Sequence, residues 1–191
     1  MTSAGEEKAR IVVFTRVDDP ATERGSELCS QMPLHAAAVL CRWGVRLVCV
    51  TTSSAAYVQK VQRELDIVEP FICEGGAAVY VPSTYLRTID ASDMHSECSW
   101  DVFRFNPPDR AAAVTLVRDL FVAQGWDDPV TIGIGCDGDD YGVLTIVDIP
   151  IVVRDGAKDQ TMLLRHLPGA YVTMASGPEG WSEALIGTLG A

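Results

Sequence analysis

Residues able to cross a bilayer, to pair in disulfides or to coat nucleic acid are scarce in these 191 amino acids. No stretch approaches the roughly 20 apolar residues that a helical span requires. The six cysteines, at 29, 41, 49, 73, 98 and 136, form no CxxC and no metal-ligand spacing, so reduced thiols and a cytoplasmic location are expected. Cations are few: 15 Lys+Arg face 26 Asp+Glu, for a net charge of −11, and an acidic surface opposes non-specific contact with nucleic acid or anionic membrane. The three histidines, His35, His95 and His166, lie far apart, and no Ser/His/Asp pattern joins them. The opening MTSAGEEKAR lacks an apolar stretch, so residues 1–9 read as a polar tail rather than a signal peptide.

What remains is rich in hydrophobic residues, 48% of the chain, enough for one α/β domain over 10–191. Short apolar runs alternate with helical patterns, as in βαβ units around a mainly parallel sheet. Strands are expected at Ile11–Phe14, Val45–Val50, Phe71–Cys73, Ala77–Val81, Val130–Ile134 and Ile149–Val153. Helices are expected from Leu34 to Trp43, closed by Gly44, around Val58, Val61 and Leu65, and from Ala111 to Ala123. Gly75-Gly76 reads as a tight turn. Residues 82–108 break the rhythm and read as an insertion or lid, within which Trp100–Phe105 suits one strand. Trp126 and Trp181 are expected to pack on the sheet edges.

Ligands of such folds collect where parallel strands end, so the loops after the strands are the places to search. Asp18 and Asp19 follow the first strand, and Asp137, Asp139 and Asp140 follow a later one. Carboxylates clustered in this way suit a divalent cation, although Asp and Gly are also ordinary loop formers. Cys136 reads either as a small buried apolar residue or as a thiolate nucleophile near Arg16.

The segments IVVFTRVDD, GVRLVCVTTSSAAYV, PFICEGGAAVYVP, DRAAAVTLV, TIGIGCDGDDYGVLTIVDIPIVVRDG and GPEGW resemble, in that order, the haloacid dehalogenase superfamily, most closely its mannosyl-3-phosphoglycerate phosphatase branch. The resemblance covers most of the chain outside 82–108. It implies a Rossmannoid three-layer α/β sandwich, with the cap domain of the family's phosphatases reduced to a remnant at 82–108. That remnant leaves the pocket open, or covered by Trp100, Phe103 and Phe105, or by a second subunit in a homodimer.

The family's phosphatases attack phosphorus with an Asp at the end of the first strand and use an Asp two residues on as acid/base. A Thr or Ser ends the next strand, a Lys steadies the phosphate, and a GDxxND loop holds Mg²⁺. The resemblance puts Arg16 at the nucleophile position, Asp18 at the acid/base position, Thr51 at the hydroxyl position with Thr52 beside it, and Arg110 at the lysine position. In the fourth loop Cys136 stands where the first metal-site Asp belongs, Asp139 where Asn belongs, and only Asp140 matches. A guanidinium stays protonated and cannot be a nucleophile. A fixed cation near the metal position, together with the loss of a carboxylate at 136, leads to the expectation that the Mg²⁺ site is lost and that no cofactor is used.

Three functions follow from these departures. In the first, the pocket is reassigned to an anionic or carbonyl-bearing small molecule bound by Arg16 and Arg110, with Asp18 as acid, base or orienting group. In the second, the chain is a non-catalytic pseudophosphatase that binds a partner. In the third, sugar-phosphate or phosphoglycerate phosphatase activity persists through other carboxylates, including a shifted register that makes Asp18 or Asp19 the nucleophile.

Overall fold

A computed structural model describes residues 10–17, 33–86, 99–156 and 159–189. Eight strands form one sheet: β1 (Ile11–Arg16), β2 (Arg46–Val50), β3 (Phe71–Cys73), β4 (Ala78–Pro82), β5 (Trp100–Arg104), β6 (Val130–Gly135), β7 (Ile149–Arg154) and β8 (Tyr171–Ser176). Their spatial order is β5-β4-β3-β2-β1-β6-β7-β8. The pairs β3–β4 and β4–β5 are antiparallel and the others parallel. Among the described residues six α-helices accompany them: α1 (Leu34–Arg42), α2 (Ala55–Leu65), α3 (Arg110–Ala123), α4 (Tyr141–Leu144), α5 (Thr161–His166) and α6 (Gly177–Leu189).

Both faces of the central strands β1, β2, β3 and β6 are buried, which is why they read as largely apolar runs. Val13, Leu47, Cys49, Ile132 and Ile151 point to one side, where they pack with Ala37 and Leu40 of α1, Val58 and Val61 of α2, and Trp181 and Leu185 of α6. Their chain neighbours Val12, Phe14, Val48, Val50 and Ile72 point to the other, against Ala113, Val117, Leu120 and Phe121 of α3. A smaller cluster of Leu144, Val152, Leu163 and Leu167 seats α4 and α5 on β7. The result is the expected three-layer sandwich. No helix among the described residues is long and apolar enough to cross a membrane.

Local chemistry sets the boundaries. Gly44, at φ 84°, stops the chain just beyond α1. The carboxylate of Asp109 accepts from Ala112 N–H at 2.9 Å and starts α3. The Gly75-Gly76 turn is a single 3₁₀ turn with φ of 67° and 95°. Within 82–108, residues 100–104 join the main sheet as its edge strand β5, four strands from β1. At about 4.8 Å per strand that is roughly 19 Å, so the three aromatics expected to cover the pocket stand along a distant edge. Trp100 there packs edge-on against Phe71, with ring centroids 5.1 Å apart.

Both expectations for tryptophan at the sheet edges are corrected. Trp181 is 3% exposed and lies beneath the central strand β1, its indole N–H donating to the Thr15 hydroxyl at 2.6 Å. Trp126 packs against Phe121 and is flanked by Arg10, before β1, and Arg46, at the start of β2; it sits below the middle of the sheet. Cationic guanidiniums face the rings' negative π surfaces in both contacts.

Candidate functional site

By the end of β5 the chain has built one side of the sheet outward from β1, and β6 then begins the other side. The crevice between the carboxyl ends of β1 and β6 is therefore the point where the strand order reverses. Arg16, the last residue of β1, reaches into that crevice. Its Nη1 donates to Asp137 Oδ2 at 2.7 Å and lies 3.7 Å from Asp140 Oδ2. The Arg16 side chain is 10% exposed, Asp137 18% and Asp140 5%, so the ion pair is mostly shielded from water.

The loop that carries these acids is held by its own backbone. Asp140 accepts from the N–H groups of Cys136 at 2.7 Å and Asp137 at 3.3 Å, and Asp137 accepts from Asp139 N–H at 3.0 Å. This reciprocal arrangement is a capping box at the start of the 3₁₀ turn Gly138–Asp140. Gly135 makes room for it, because a Cβ there would stand 2.5 Å from the Asp140 Cβ. Burial is the main cause that raises the Asp140 carboxyl, and with Arg16 and the two N–H groups pulling it down and the Asp137 charge raising it, the balance stands at about 6.

Arg110, the first residue of α3, approaches the same loop. Its guanidinium donates to the Asp139 carbonyl and lies 3.9 Å from Asp140 Oδ1. Gly76 allows this approach, since a Cβ there would meet Arg110 N at 2.7 Å. Thr51 is 1% exposed, and its hydroxyl accepts from Ser53 N–H at 2.9 Å, which shapes the turn after β2; Thr52 beside it is exposed. Cys136 is 2% exposed, and its carbonyl accepts from the Gln160 amide at 2.6 Å. Asp18, with Asp19, lies outside the described residues, as do His95 and residues 1–9.

The structure thus brings Arg16, Arg110, Cys136 and Asp140 together, with Thr51 one strand away, because Arg16 pairs with Val50 in the parallel ladder. The partner that the motif comparison passed over is Asp137. The family pattern directs attention to 136 and 140, whereas Asp137, between them, is the acid at 2.7 Å from Arg16. Gln160 and Trp181 were also missed as supports, the first because its amide bridges the carbonyls of Cys136 and Val153.

The expectation of a lost metal site is corrected. Ligand atoms of Cys136, Asp137 and Asp140 all lie within 4.8 Å of one another, so these side chains could hold an ion. Asp137 supplies a carboxylate directly beside Cys136. The two carboxylates are hard oxygen donors suited to a divalent cation, the thiol a softer one.

No protein-family model matches the chain. It is 50% identical to a glucosyl-3-phosphoglycerate/mannosyl-3-phosphoglycerate phosphatase from Persephonella marina, over 74% of this chain and 84% of that protein. The fold is similar to a crystal structure of a Thermoplasma acidophilum protein, with a TM-score of 0.61, 12% identity, and coverage of 95% of this chain and 98% of that one. It is also similar to a sucrose-phosphatase from Synechocystis, with a TM-score of 0.58, 12% identity, and coverage of 95% and 97%. The parallel sheet, the strand-end site and the kinship in sequence agree: the chain belongs to the glucosyl-3-phosphoglycerate/mannosyl-3-phosphoglycerate phosphatase family of the haloacid dehalogenase superfamily.

Proposed function

We propose that this chain is a catalytically degenerate member of its family, whose pocket binds an anionic small molecule without forming an aspartyl-phosphate at the end of β1. The observation that carries the reading is Arg16: a guanidinium, 2.7 Å from Asp137, occupies the strand end from which a nucleophile would attack. A protonated guanidinium has no lone pair to offer phosphorus, but its planar fork suits paired hydrogen bonds to phosphate or carboxylate oxygens.

In this reading Arg16 and Arg110 supply the positive charge that receives the ligand, and Thr51 and Thr52 flank it at the end of β2. Asp18 serves as acid, base or orienting group. Asp137 and Asp140 hold the Arg16 guanidinium in place. The same two carboxylates, with Cys136, are the residues that would hold a divalent ion, which when bound would take up a phosphate oxygen. The chain is read as a single core domain in which residues 82–108 take the place of the family's cap domain.

Calorimetric titration with inorganic phosphate tests the reading. Binding by the wild type, weakened at least tenfold in both Arg16→Ala and Arg110→Ala, is expected. Turnover of a phosphate ester that disappears in Asp18→Asn would instead identify the chain as a phosphatase with a shifted nucleophile.

A further inference from the structure

The strand β5 ends the sheet with residues 101–104 exposed. Val102 is 42% and Phe103 37% exposed, so large apolar side chains meet water on both faces of the strand. The ladder to β4 fixes which backbone groups are already bonded. Phe105 N–H donates to Ala77 O at 2.9 Å and Ser83 N–H donates to Ser99 O at 2.9 Å. Val79 faces Phe103 and Val81 faces Asp101 in the same register. Because bonded pairs alternate along an antiparallel ladder, Ser99, Asp101, Phe103 and Phe105 turn their N–H and C=O groups toward β4. Trp100, Val102 and Arg104 turn theirs to the outer edge, where the sheet order has no further strand among the described residues.

We infer that this edge pairs antiparallel with β5 of a second copy of the chain, about a two-fold axis at Val102. Residues opposite one another in such a pair share a face of the sheet, which leaves few registers for a symmetric contact. An axis at Asp101 sets two carboxylates opposite each other, and an axis at Arg104 sets two guanidiniums opposite each other; like charges disfavour both. An axis at Phe103 places Trp100 opposite Asn106, beyond the end of the strand. The axis at Val102 matches the strand from end to end. It lets the outward groups of Trp100, Val102 and Arg104 all bond, and it places each Arg104 guanidinium opposite the second copy's Trp100 indole. Asp101 and Arg104 thus act as register markers, and Val102 packs on its own symmetry mate.

Sedimentation velocity on the full chain over a range of concentrations tests the interface. The wild type is expected to dimerise. Val102→Pro removes an N–H that points away from β4, so it is expected to give a monomer with an unchanged circular dichroism spectrum. Arg104→Gln removes the guanidinium from both cross-copy ring contacts and from its 3.1 Å pair with Glu74, without setting a new carboxylate beside that acid; it is expected to weaken the dimer about tenfold and serves if Val102→Pro does not fold. Bonded antiparallel partners stand about 5.5 Å apart at Cα, within disulfide range, so Val102→Cys is expected to cross-link between copies under mild oxidation faster than Phe103→Cys. A wild type that stays monomeric, a Val102→Pro chain that folds and dimerises as the wild type does, or faster cross-linking through position 103 would overturn the proposal.

Discussion

Nη1 of Arg16 and Oδ2 of Asp137 stand 2.7 Å apart, tying the end of β1 to the loop after β6 across 121 residues of sequence. Asp140 lies 3.7 Å from the same nitrogen, so the Arg16 guanidinium faces two shielded carboxylates, with Arg110 3.9 Å from the second. Arg16→Ala leaves both acids without that partner. A loss of about 1–3 kcal/mol in unfolding free energy is expected from urea titration at neutral pH. An unchanged midpoint would show that the pair adds nothing to the fold.

Arg16→Asp exchanges the cation for a third carboxylate beside Asp137 and Asp140. Their mutual repulsion is then relieved by a bound divalent cation. Thermal melts should show that saturating Mg²⁺ raises the Tm of Arg16→Asp by more than it raises that of the wild type. Equal shifts would mean that the guanidinium does not compete for these oxygens.

The contact between Trp181 and Thr15 holds the residue before Arg16. Trp181→Phe keeps the aromatic bulk and loses the 2.6 Å hydrogen bond, which is expected to cost about 0.5–1.5 kcal/mol. Trp181→Ala also opens a cavity in a site that is 3% exposed, with an expected cost of about 3–5 kcal/mol. Denaturant unfolding of the two variants separates the hydrogen bond from the packing.

Gly76, at φ 95°, lies against the backbone of Arg110, where an added Cβ would stand 2.7 Å from Arg110 N. Gly76→Ala therefore strains the turn and pushes on the start of α3. A destabilisation of about 1–3 kcal/mol is expected, with weakened phosphate binding as Arg110 shifts. Calorimetry and urea titration on one preparation measure both effects.

Partial burial raises the pKa of Asp148, but the hydrogen bonds from the Thr131 hydroxyl, at 2.6 Å, and Thr131 N–H, at 2.8 Å, outweigh it and hold the carboxyl below its ordinary 3.8. A carboxyl lowered in the folded state stabilises the fold above its unfolded value and loses that contribution as pH falls through the folded value. Asp148→Asn is thus expected to be less stable than the wild type at pH 7, with the gap closing below about pH 4. Urea midpoints at neutral and acid pH follow the gap. A constant gap would remove the charge from the explanation.

Much of the fold was legible because it rests on burial. The stretches Val12–Phe14, Leu47–Val50 and Thr131–Ile134 are buried on both faces, and the stripe Val58, Val61, Leu65 lies on one side of α2. The last unit was less legible. GPEGW carried the resemblance but no expected element; Gly177 takes φ 59° and Pro178 then occupies the first turn of α6, where its missing N–H costs nothing. Gly180 lets that helix approach β8, since a Cβ would meet Ala175 O at 2.5 Å. The site was half legible. Arg16, Arg110 and Asp140 came from motif positions, whereas the Asp137 partnership depends on how the loop turns, and one-dimensional spacing does not encode that turn.

On the proposed reading the Arg16 guanidinium stands where the family's attacking carboxylate belongs, and intact-protein mass spectrometry after acid quench decides whether a covalent adduct forms. Full-length chain mixed with a phosphate ester and Mg²⁺ is expected to show no phosphoryl adduct at any time point. An acid-stable, hydroxylamine-sensitive phosphoryl adduct on an aspartate would contradict the account.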